Sequence, residues 1–297
     1  MSLFEQVTRK KAKLRLALTG VSGGGKTLGA LYIAYGMTGD WSKVALIDTE
    51  HERARFYADR SDLGTGSFLY APFAPPYSPD RYKQLVHEAA ELVGPDGVVI
   101  VDSLSHAWNN EGGVLDIKDR IAGQQGKNSY TAWSEAGKYQ NDLINTILAV
   151  DCHTIVTMRA KTEYAMQEND RGKMAPVKIG LAPVQREDTE YEFDIVLNID
   201  RNHIATASKD TTFLDKFGQV ITPELGVQLK NWLSDGVEPE RCEVCGKVIT
   251  AKKSKTVEQI ITASVKALNK KCCYDCYAKE FRKKKKEEEN NGGQNPD

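Results

Sequence analysis

The sequence predicts an α/β protein with a mainly parallel sheet that is covered by helices on both faces. Short apolar runs rich in β-branched residues, at 44–47 and 98–101, are typical of strands that are buried on both faces. Longer segments with apolar residues at helical spacing, at 79–93 and 129–150, alternate with such runs. The third observation is a glycine-rich turn, which joins the first strand, around residues 14–18, to the first helix.

Composition limits what kind of protein this is. The chain has 297 residues, of which 40% are hydrophobic and 27% are charged, so it can form one large domain with a substantial core and a small additional module. No run approaches the roughly 18 apolar residues of a membrane span, and the segment after Met1 lacks the apolar core of a signal peptide. We therefore expect a cytoplasmic protein with no membrane partner.

Charge is unevenly distributed along the chain. The net charge is -1 overall, but from Arg241 onward 14 Lys and Arg residues stand against 8 Asp and Glu residues. The body is therefore mildly acidic and the tail is basic. Any contact with a polyanion is expected to be local, made by the tail or by particular loops, because such contacts depend on Lys and Arg.

Residues 20–27 form the most specific motif. They read Gly-Val-Ser-Gly-Gly-Gly-Lys-Thr, which fits G-x-x-x-x-G-K-[ST], and they lie between a strand and a helix predicted at 26–37. In such a phosphate loop, backbone N–H groups converge on phosphate oxygens, the lysine reaches the β- and γ-phosphates, and the threonine hydroxyl can bind Mg²⁺. The predicted nucleotide-binding residues in this loop are Gly20, Ser22, Gly23, Gly24, Gly25, Lys26 and Thr27.

Acidic residues follow two of the predicted strands. The strand at 44–47 ends in Asp-Thr-Glu-His, and its Glu50 is a candidate to orient and deprotonate an attacking water, although a solvated loop acid would look the same. The strand at 98–101 ends in Asp102, which is the Walker B arrangement and predicts a carboxylate that holds Mg²⁺ through water. Asp102 and Thr27 are therefore the predicted Mg²⁺ residues.

The segment after the strand predicted at 153–158 has no clear periodicity. From 159 to 190, basic residues are interleaved with a few aromatic and apolar ones, which suits a loop that grips a single DNA strand through phosphates and base faces. A mobile lid with solvated charges is the other interpretation. Two strands, at 193–199 and 201–209, and a helix at 223–233 complete the body. The basic residues that follow Arg159 in this segment are Lys161, Arg171, Lys173, Lys178 and Arg186.

Five of the six cysteines lie in the basic tail. Two Cys-x-x-Cys pairs, Cys242 with Cys245 and Cys273 with Cys276, have the layout of a four-cysteine zinc site, with Cys272 as the competing ligand. Free or redox-active thiols are the alternative. A short helix is predicted between the pairs. The predicted organisation is an ATPase domain at 1–235, a linker at 236–240, a zinc-binding module at 241–281 and a disordered tail at 282–297.

Taken together, these motifs resemble the RecA-type recombinase core. The resemblance rests on the order of the phosphate loop, Asp-Thr-Glu-His, the strand ending in Asp102, the basic segment, and the stretch at 201–209. More narrowly, Gly-Leu-Ala-Pro-Val-Gln-Arg at 180–186 and Ala-Thr-Ala-Ser-Lys-Asp at 205–210 are similar to phage-encoded RecA-like ATPases that act as single-strand annealing proteins. The resemblance implies a RecA-like P-loop NTPase core with Glu50 and Lys26 as catalytic residues.

Two departures from the RecA pattern affect the site. Arg201 looks similar to the segment by which RecA-type subunits reach a neighbour's γ-phosphate, but position 203 holds a histidine where the pattern has a lysine. The trans-acting cation therefore stays open among Arg201, Lys209 and Arg186. The family also places an Asn-Gln pair after the strand that ends near residue 157, whereas this chain has Thr-Met-Arg at 157–159. The usual γ-phosphate sensor is therefore absent from its expected place.

The resemblance implies a Mg²⁺-dependent ATPase that is stimulated by single-stranded DNA. It predicts annealing or recombination in phage DNA metabolism, in the host cytoplasm, by a homo-oligomer in the form of a ring or filament. A single-strand binding protein or a replisome protein is the expected protein partner. The alternative is a nucleotide-switched adaptor, of the helicase-loader type, that recruits a replisome protein.

Overall fold

The computed structural model describes residues 8–168 and 174–291, with side chains described outside 162–181 and 285–291. Contacts divide the described chain into two compact units. The first is Lys13–Leu233; because it contains the predicted ATPase domain's motifs, it is called the ATPase unit. The second, the cysteine unit, contains residues 8–12 together with 234–291. The predicted boundary near 235 is close to this division, but residues 8–12, which the sequence assigns to the first domain, belong to the second unit.

Nine strands and six helices make up the ATPase unit within the described residues. The strands are β1 (Arg15–Gly20), β2 (Val44–Asp48), β3 (Leu69–Pro72), β4 (Val98–Asp102), β5 (His153–Glu168), β6 (Met174–Pro183), β7 (Ile195–Ile199), β8 (Ile204–Asp210) and β9 (Gly218–Val220). The helices are α1 (Lys26–Thr38), α2 (Pro79–Val93), α3 (His106–Asn109), α4 (Val114–Ala122), α5 (Ser129–Ala149) and α6 (Pro223–Ser234).

The sheet has the order β3-β2-β4-β5-β1-β7-β8-β9, and β6 pairs with β5 outside this path. The strands from β3 to β7 in this order are parallel, and β8 and β9 continue the sheet antiparallel. The predicted α/β class with a mainly parallel sheet is thereby confirmed. Because parallel strands end at the same edge, this order brings the loops after β1, β2, β4 and β5 together.

The core lies on both faces of the sheet. One hydrophobic cluster packs α1 and α6 against it, and the other packs α2 and α5. Helices α1 and α6 touch through their backbones, because a Cβ on Gly36 would lie 1.9 Å from the carbonyl oxygen of Pro223, and one on Gly226 would lie 2.2 Å from that of Ile33. This close approach fixes α1, and with it the loop that precedes it.

Much of the basic segment at 159–190 is paired strand, at 160–168 and 174–183, which corrects the expectation of an irregular loop. The two paired strands are called the hairpin. Strand β5 runs on to Glu168 and pairs antiparallel with β6, from Ala160 opposite Pro183 to Glu168 opposite Met174. The prediction missed it because a two-stranded ribbon need not bury either face, so its sequence carries no strict alternation. Of the basic residues expected to grip DNA, Arg171 and Lys173 lie outside the described residues.

The cysteine unit contains two helices in its described part, α7 (Val257–Leu268) and α8 (Tyr274–Asn291). Its small core consists of Cys242, Ile249, Ile260 and Cys272. Helix α8 corrects the prediction of disorder from residue 282, since it continues to 291, and residues 292–297 lie outside the described chain. Its Lys and Glu residues are good helix formers, and Lys283 precedes Glu287 by one helical turn in the sequence.

None of the helices in the described part of the chain combines the length and the apolar character that a membrane crossing needs.

Candidate active site and metal centre

The phosphate loop begins at the end of β1 and is shaped by its glycines. Gly20 has φ 159°, and a Cβ there would lie 2.5 Å from the carbonyl oxygen of Ile199 on β7. Gly25 has φ 94° and is the N-cap of α1, where no side chain caps the helix. The first N–H groups of α1 therefore have no side-chain acceptor, and such groups at a helix N-terminus bind anions.

Lys26 is the first residue of α1, and its side chain folds back over the loop. Its Nζ donates to the carbonyl oxygens of Gly20, at 3.0 Å, and Val21, at 2.9 Å. Burial lowers the pKa of Lys26, while the carboxylates of Asp102 and Glu50 oppose this shift. The ammonium group is thus held in the loop by weak neutral acceptors, and a phosphate oxygen is a stronger partner for it.

Thr27 and Asp102 meet where α1 begins and β4 ends. The Thr27 hydroxyl donates to Asp102 Oδ2 at 2.6 Å, and the Thr157 hydroxyl donates to Oδ1 at 2.5 Å. Asp102 is fully buried, and this burial raises its pKa, against the two hydroxyl hydrogen bonds. A carboxylate and a hydroxyl oxygen at one point form the kind of oxygen ligand set that Mg²⁺ prefers.

Glu50 lies in the loop after β2, and Asp48 shapes that loop. Asp48 Oδ1 accepts from the backbone N–H of Glu50 at 2.6 Å, and Oδ2 accepts from the N–H of Ala54 at 3.0 Å and from the Tyr70 hydroxyl at 3.0 Å. Burial, together with the Asp48 carboxylate, raises the pKa of Tyr70 to about 12. Asp48 is thus a positioning residue for Glu50, a role that the sequence motif did not reveal.

Arg159, at the end of the central part of β5, forms a forked ion pair with Glu50. Its Nε donates to Glu50 Oε1 at 2.7 Å, and its Nη2 donates to Oε2. The Glu50 side chain is 16% exposed and that of Arg159 is 44% exposed. Burial alone would raise the pKa of Glu50, but the hydrogen bond and charge of Arg159 outweigh it, so the pKa is lowered. Both carboxylate oxygens of the candidate base therefore accept a hydrogen bond from Arg159.

A buried network supports the loops after β2 and β4. Thr49 Oγ1 accepts from the backbone N–H of Ser103 at 2.8 Å and contacts His106 Nδ1, and the imidazole ring stacks on Tyr77 with centroids 5.0 Å apart. Burial, followed by the charge of Arg159, lowers the pKa of His106 to about 4. His106 is therefore neutral at neutral pH and ties the two loops together without adding charge.

The three candidate trans-acting cations lie on other elements than the residues of this cluster. Arg201 is exposed in the turn between β7 and β8, Lys209 donates to the carbonyl oxygen of Tyr191 at 2.5 Å, and Arg186 donates to Asn141 Oδ1 at 2.8 Å. The same turn contacts the phosphate loop of its own chain, because His203 Nδ1 lies 3.0 Å from the carbonyl oxygen of Gly24. A role towards a neighbouring subunit remains a prediction.

The four predicted zinc ligands lie together in the cysteine unit. The Sγ atoms of Cys242, Cys245, Cys273 and Cys276 are all within 4.8 Å of one another. Burial would raise the pKa of Cys242, but hydrogen bonds from backbone N–H groups, that of Cys273 foremost, lower it to about 6. Cys272, the competing candidate, is buried in the apolar core, and its N–H donates to Ser264 Oγ at 3.0 Å.

The sheet, the phosphate loop and the buried Walker B carboxylate define an α/β ATPase of the P-loop type. A family model described as an AAA domain matches residues 12–257, which is most of the chain. The chain belongs to this family. The matched region includes the first cysteine pair and ends before the second. No curated protein matches the chain.

Arg159 and Thr157, like Asp48, are site residues whose contacts the sequence analysis did not predict. The available signal was their place at the end of β5, because polar residues at the ends of neighbouring parallel strands converge. In the sequence, the Thr-Met-Arg stretch at 157–159 is a departure from the RecA pattern, and no role was predicted for its residues. Its arginine contacts the candidate base, and its threonine contacts the Walker B acid.

Proposed function

We propose that this protein binds and hydrolyses ATP, binds single-stranded DNA and promotes annealing or recombination in phage DNA metabolism. One observation carries the proposal: the groups that ATP hydrolysis needs converge beside the root of a hairpin with a basic sequence. Lys26, Thr27, Asp102 and Glu50 lie around the end of β1, and Arg159 directly precedes the paired hairpin.

The residues fit a nucleotide with Mg²⁺. Backbone N–H groups at an uncapped helix start suit phosphate oxygens, and the oxygens of Thr27 and Asp102 suit the ion. When bound, ATP with Mg²⁺ supplies the γ-phosphoryl group and screens the charge around it. Lys26 exchanges its carbonyl partners for phosphate oxygens, and Glu50 orients a water and accepts its proton. Asp48 keeps Glu50 in place throughout.

The DNA part of the proposal rests on the hairpin. Beyond Arg159, β5 pairs with β6 alone, so the two strands leave the main sheet as a ribbon. Lys161 is exposed, and the sequence supplies further basic residues at 171, 173 and 178. A ribbon with this composition suits a single strand held through its phosphates. Annealing, the phage setting and a single-strand binding or replisome partner rest on the sequence resemblance alone.

Assembly completes the proposal. A ring or filament of identical subunits would allow Arg201, Lys209 or Arg186 to reach the nucleotide of a neighbour, as the RecA resemblance implies. Light scattering of the protein with Mg²⁺, ATP and single-stranded DNA tests this. We expect oligomers larger than a dimer, and a monomer under all these conditions would contradict it.

A structural Zn²⁺ in the cysteine unit is the second cofactor that we propose. Four thiol sulfurs within 4.8 Å of one another match a tetrahedral Cys₄ site, which provides a large part of the folding energy in small modules. The small hydrophobic core of this unit, with four buried apolar residues in its described part, supports the same conclusion.

The test is the rate of ATP hydrolysis, with and without single-stranded DNA, at low and high salt. We expect the DNA to stimulate hydrolysis and the stimulation to fade with salt, because DNA binding releases counterions. Lys26→Ala should abolish hydrolysis without changing the unfolding temperature. Annealing of two complementary oligonucleotides, followed by fluorescence quenching, tests the second half of the proposal.

Matched variants locate the DNA. Replacing Lys161, Lys173 and Lys178 by Ala should remove the stimulation, whereas Lys138→Ala, an exposed lysine on α5, should leave it unchanged. ATP hydrolysis that is indifferent to DNA in the unmodified protein would overturn this proposal. It would favour the nucleotide-switched adaptor, for which the search would turn to a protein partner.

A further inference from the structure

Arg159 lies at the junction of the phosphate loop, the Walker B strand and the hairpin. In the register of β1 and β5 it is directly opposite Gly20, the first residue of the phosphate loop. Its N–H donates to Ser105 Oγ at 2.9 Å, and its carbonyl oxygen accepts from the N–H of Val184 at 2.6 Å. The backbone of Arg159 is thus fixed by its pairing with β1 and by its hydrogen bonds to Ser105 and Val184. A change of partner at this residue therefore involves the side chain.

The guanidinium group contacts both oxygens of the candidate base. Its fork donates one hydrogen bond to each oxygen of Glu50, so a water that approaches Glu50 competes with two charge-assisted hydrogen bonds. A general base works best when its pKa lies near the working pH, and the contact with Arg159 shifts the pKa of Glu50 away from it. The arrangement around Glu50 is therefore unsuited to hydrolysis as long as the pair is intact.

The same guanidinium belongs to the charge cluster around the phosphate loop. Lys26 interacts electrostatically with Asp102, Glu50 and Arg159, and Arg159 also interacts with Asp102. A terminal phosphate next to Lys26 brings more negative charge into this cluster than one carboxylate does, and it offers a planar fork the same two-point contact.

We propose that Arg159 is the cation that binds the terminal phosphate of ATP in cis, and that it leaves Glu50 to do so. One side-chain movement would then add a γ-phosphate contact and free the general base. This inference rests on the proposed ATPase function and adds a cation of the same chain to the one that a neighbouring subunit is expected to supply. It also accounts for an arginine at the place where the RecA pattern has its Asn-Gln pair.

The test is the preference for a triphosphate over a diphosphate, measured as dissociation constants of a non-hydrolysable ATP analogue and of ADP, both with Mg²⁺. Arg159→Ala should weaken binding of the analogue at least about tenfold, the loss expected for a charge-assisted hydrogen bond, and change ADP binding much less. Arg159→Lys should fall between, because its ammonium keeps the charge and loses the fork.

Glu50→Gln provides the second arm. It weakens the competing partner of Arg159, so we expect tighter binding of the analogue and little change for ADP. In the Arg159→Ala background the same substitution should have a much smaller effect, because no guanidinium remains to be released. Equal effects of Glu50→Gln in the two backgrounds would overturn the inference.

Arg60 offers a matched control. It forms a similar fork with Asp62, through Nε at 2.7 Å and Nη2 at 2.5 Å, on the exposed surface. Arg60→Ala should leave the preference for the analogue unchanged, and thermal unfolding without nucleotide shows whether each variant is folded. Equal losses of ADP and analogue affinity in Arg159→Ala would assign Arg159 a structural role and overturn the inference.

The outcomes separate this inference from the proposed function. A protein that shows the expected nucleotide preferences but binds no DNA keeps the inference and loses the DNA part of the function. Unchanged nucleotide binding in Lys26→Ala would show that the phosphate loop is not the nucleotide site, and both proposals would fail.

Discussion

The two units of this chain differ in the size of their hydrophobic cores and therefore in what can stabilise them. The ATPase unit packs helices on both faces of a nine-stranded sheet, with two large clusters of buried side chains. In its described part, the cysteine unit has a hydrophobic core of four buried residues, two of which are cysteines. Apolar burial provides roughly 25 cal/mol per Å², so the first unit can fold on its own core and the second needs another source of stability. Four converging thiols provide that source if they bind a metal.

Removing the metal should give the largest difference between the units. We expect a zinc chelator to unfold the cysteine unit and leave the thermal transition of the ATPase unit in place, because binding energy of a structural zinc is folding energy. Circular dichroism and calorimetry on the full chain measure both. Cys245→Ser should lower the zinc content in the same way, whereas Cys152→Ser in the ATPase unit should not. A chain that keeps both transitions in the chelator would contradict the comparison.

Crowding the contact between α1 and α6 should damage the ATPase unit alone. Gly36→Ala places a methyl group on the carbonyl oxygen of Pro223, and we expect a loss of about 3 kcal/mol in the free energy of unfolding. Gly137→Ala in α5 is the matched control, since its Cβ would meet nothing nearer than 3.9 Å and should stabilise the helix by about 0.5 kcal/mol or more. Denaturant unfolding measures both variants.

Acid should weaken the ATPase unit through His153. The N–H of Leu14 donates to its Nδ1 at 2.9 Å, and burial lowers its pKa to about 3, from about 6.5 in the unfolded chain. Between these pH values the unfolded chain binds more protons than the folded one. The contribution of neutral His153 to the free energy of unfolding is therefore fully present above pH 6.5 and is lost as the pH falls towards 3. At pH 5 the loss is about 2 kcal/mol. The free energy of unfolding, measured as a function of pH, should depend less on pH in His153→Asn. It should keep its pH dependence in the exposed control His87→Gln.

The smallest effect comes from the same motif in both units. Asn128 and Thr256 each cap a helix through a reciprocal box, with Thr131 and Gln259 as partners. Replacing either cap by Ala should cost about 1 kcal/mol. In the ATPase unit this is a shift of about 2–4 °C in Tm. In the cysteine unit folding and metal binding are coupled, so we expect roughly fivefold weaker zinc affinity, measured by competition with a chelator. If the Ala replacements of Asn128 and Thr256 changed the Tm of the ATPase unit equally, and changed the zinc affinity equally, this prediction would be wrong.

Local patterns predicted most elements, but not which strands become neighbours. Helix α2 has the predicted bounds, 79–93, a helix lies between the two cysteine pairs as predicted, and the motif at 20–27 forms the turn between β1 and α1. The fork between Glu50 and Arg159 joins residues 109 positions apart, so it follows from the sheet order alone. Periodicity within a segment contains no information about that order.

Two further outcomes show the limits of the pattern. The hairpin of β5 and β6 was missed because its two strands satisfy each other's backbone and need not bury a face. Cys272 and Cys273 are adjacent, and spacing could not decide which of them faces the other sulfurs. The packing decides it, since Cys272 is enclosed with Ile249 and Ile260.

The position of β1 in the sheet has a consequence for protein synthesis. Its two neighbours are β5 and β7, which begin at His153 and Ile195. The phosphate loop leaves the ribosome early, but Gly20 and Gly24 pack against Ile199 and Asp200, far downstream. A nascent chain that ends before residue 200 therefore has a complete nucleotide motif and no structure to hold it. We expect ATP binding to appear in ribosome-bound chains only after β7 and the following turn have emerged.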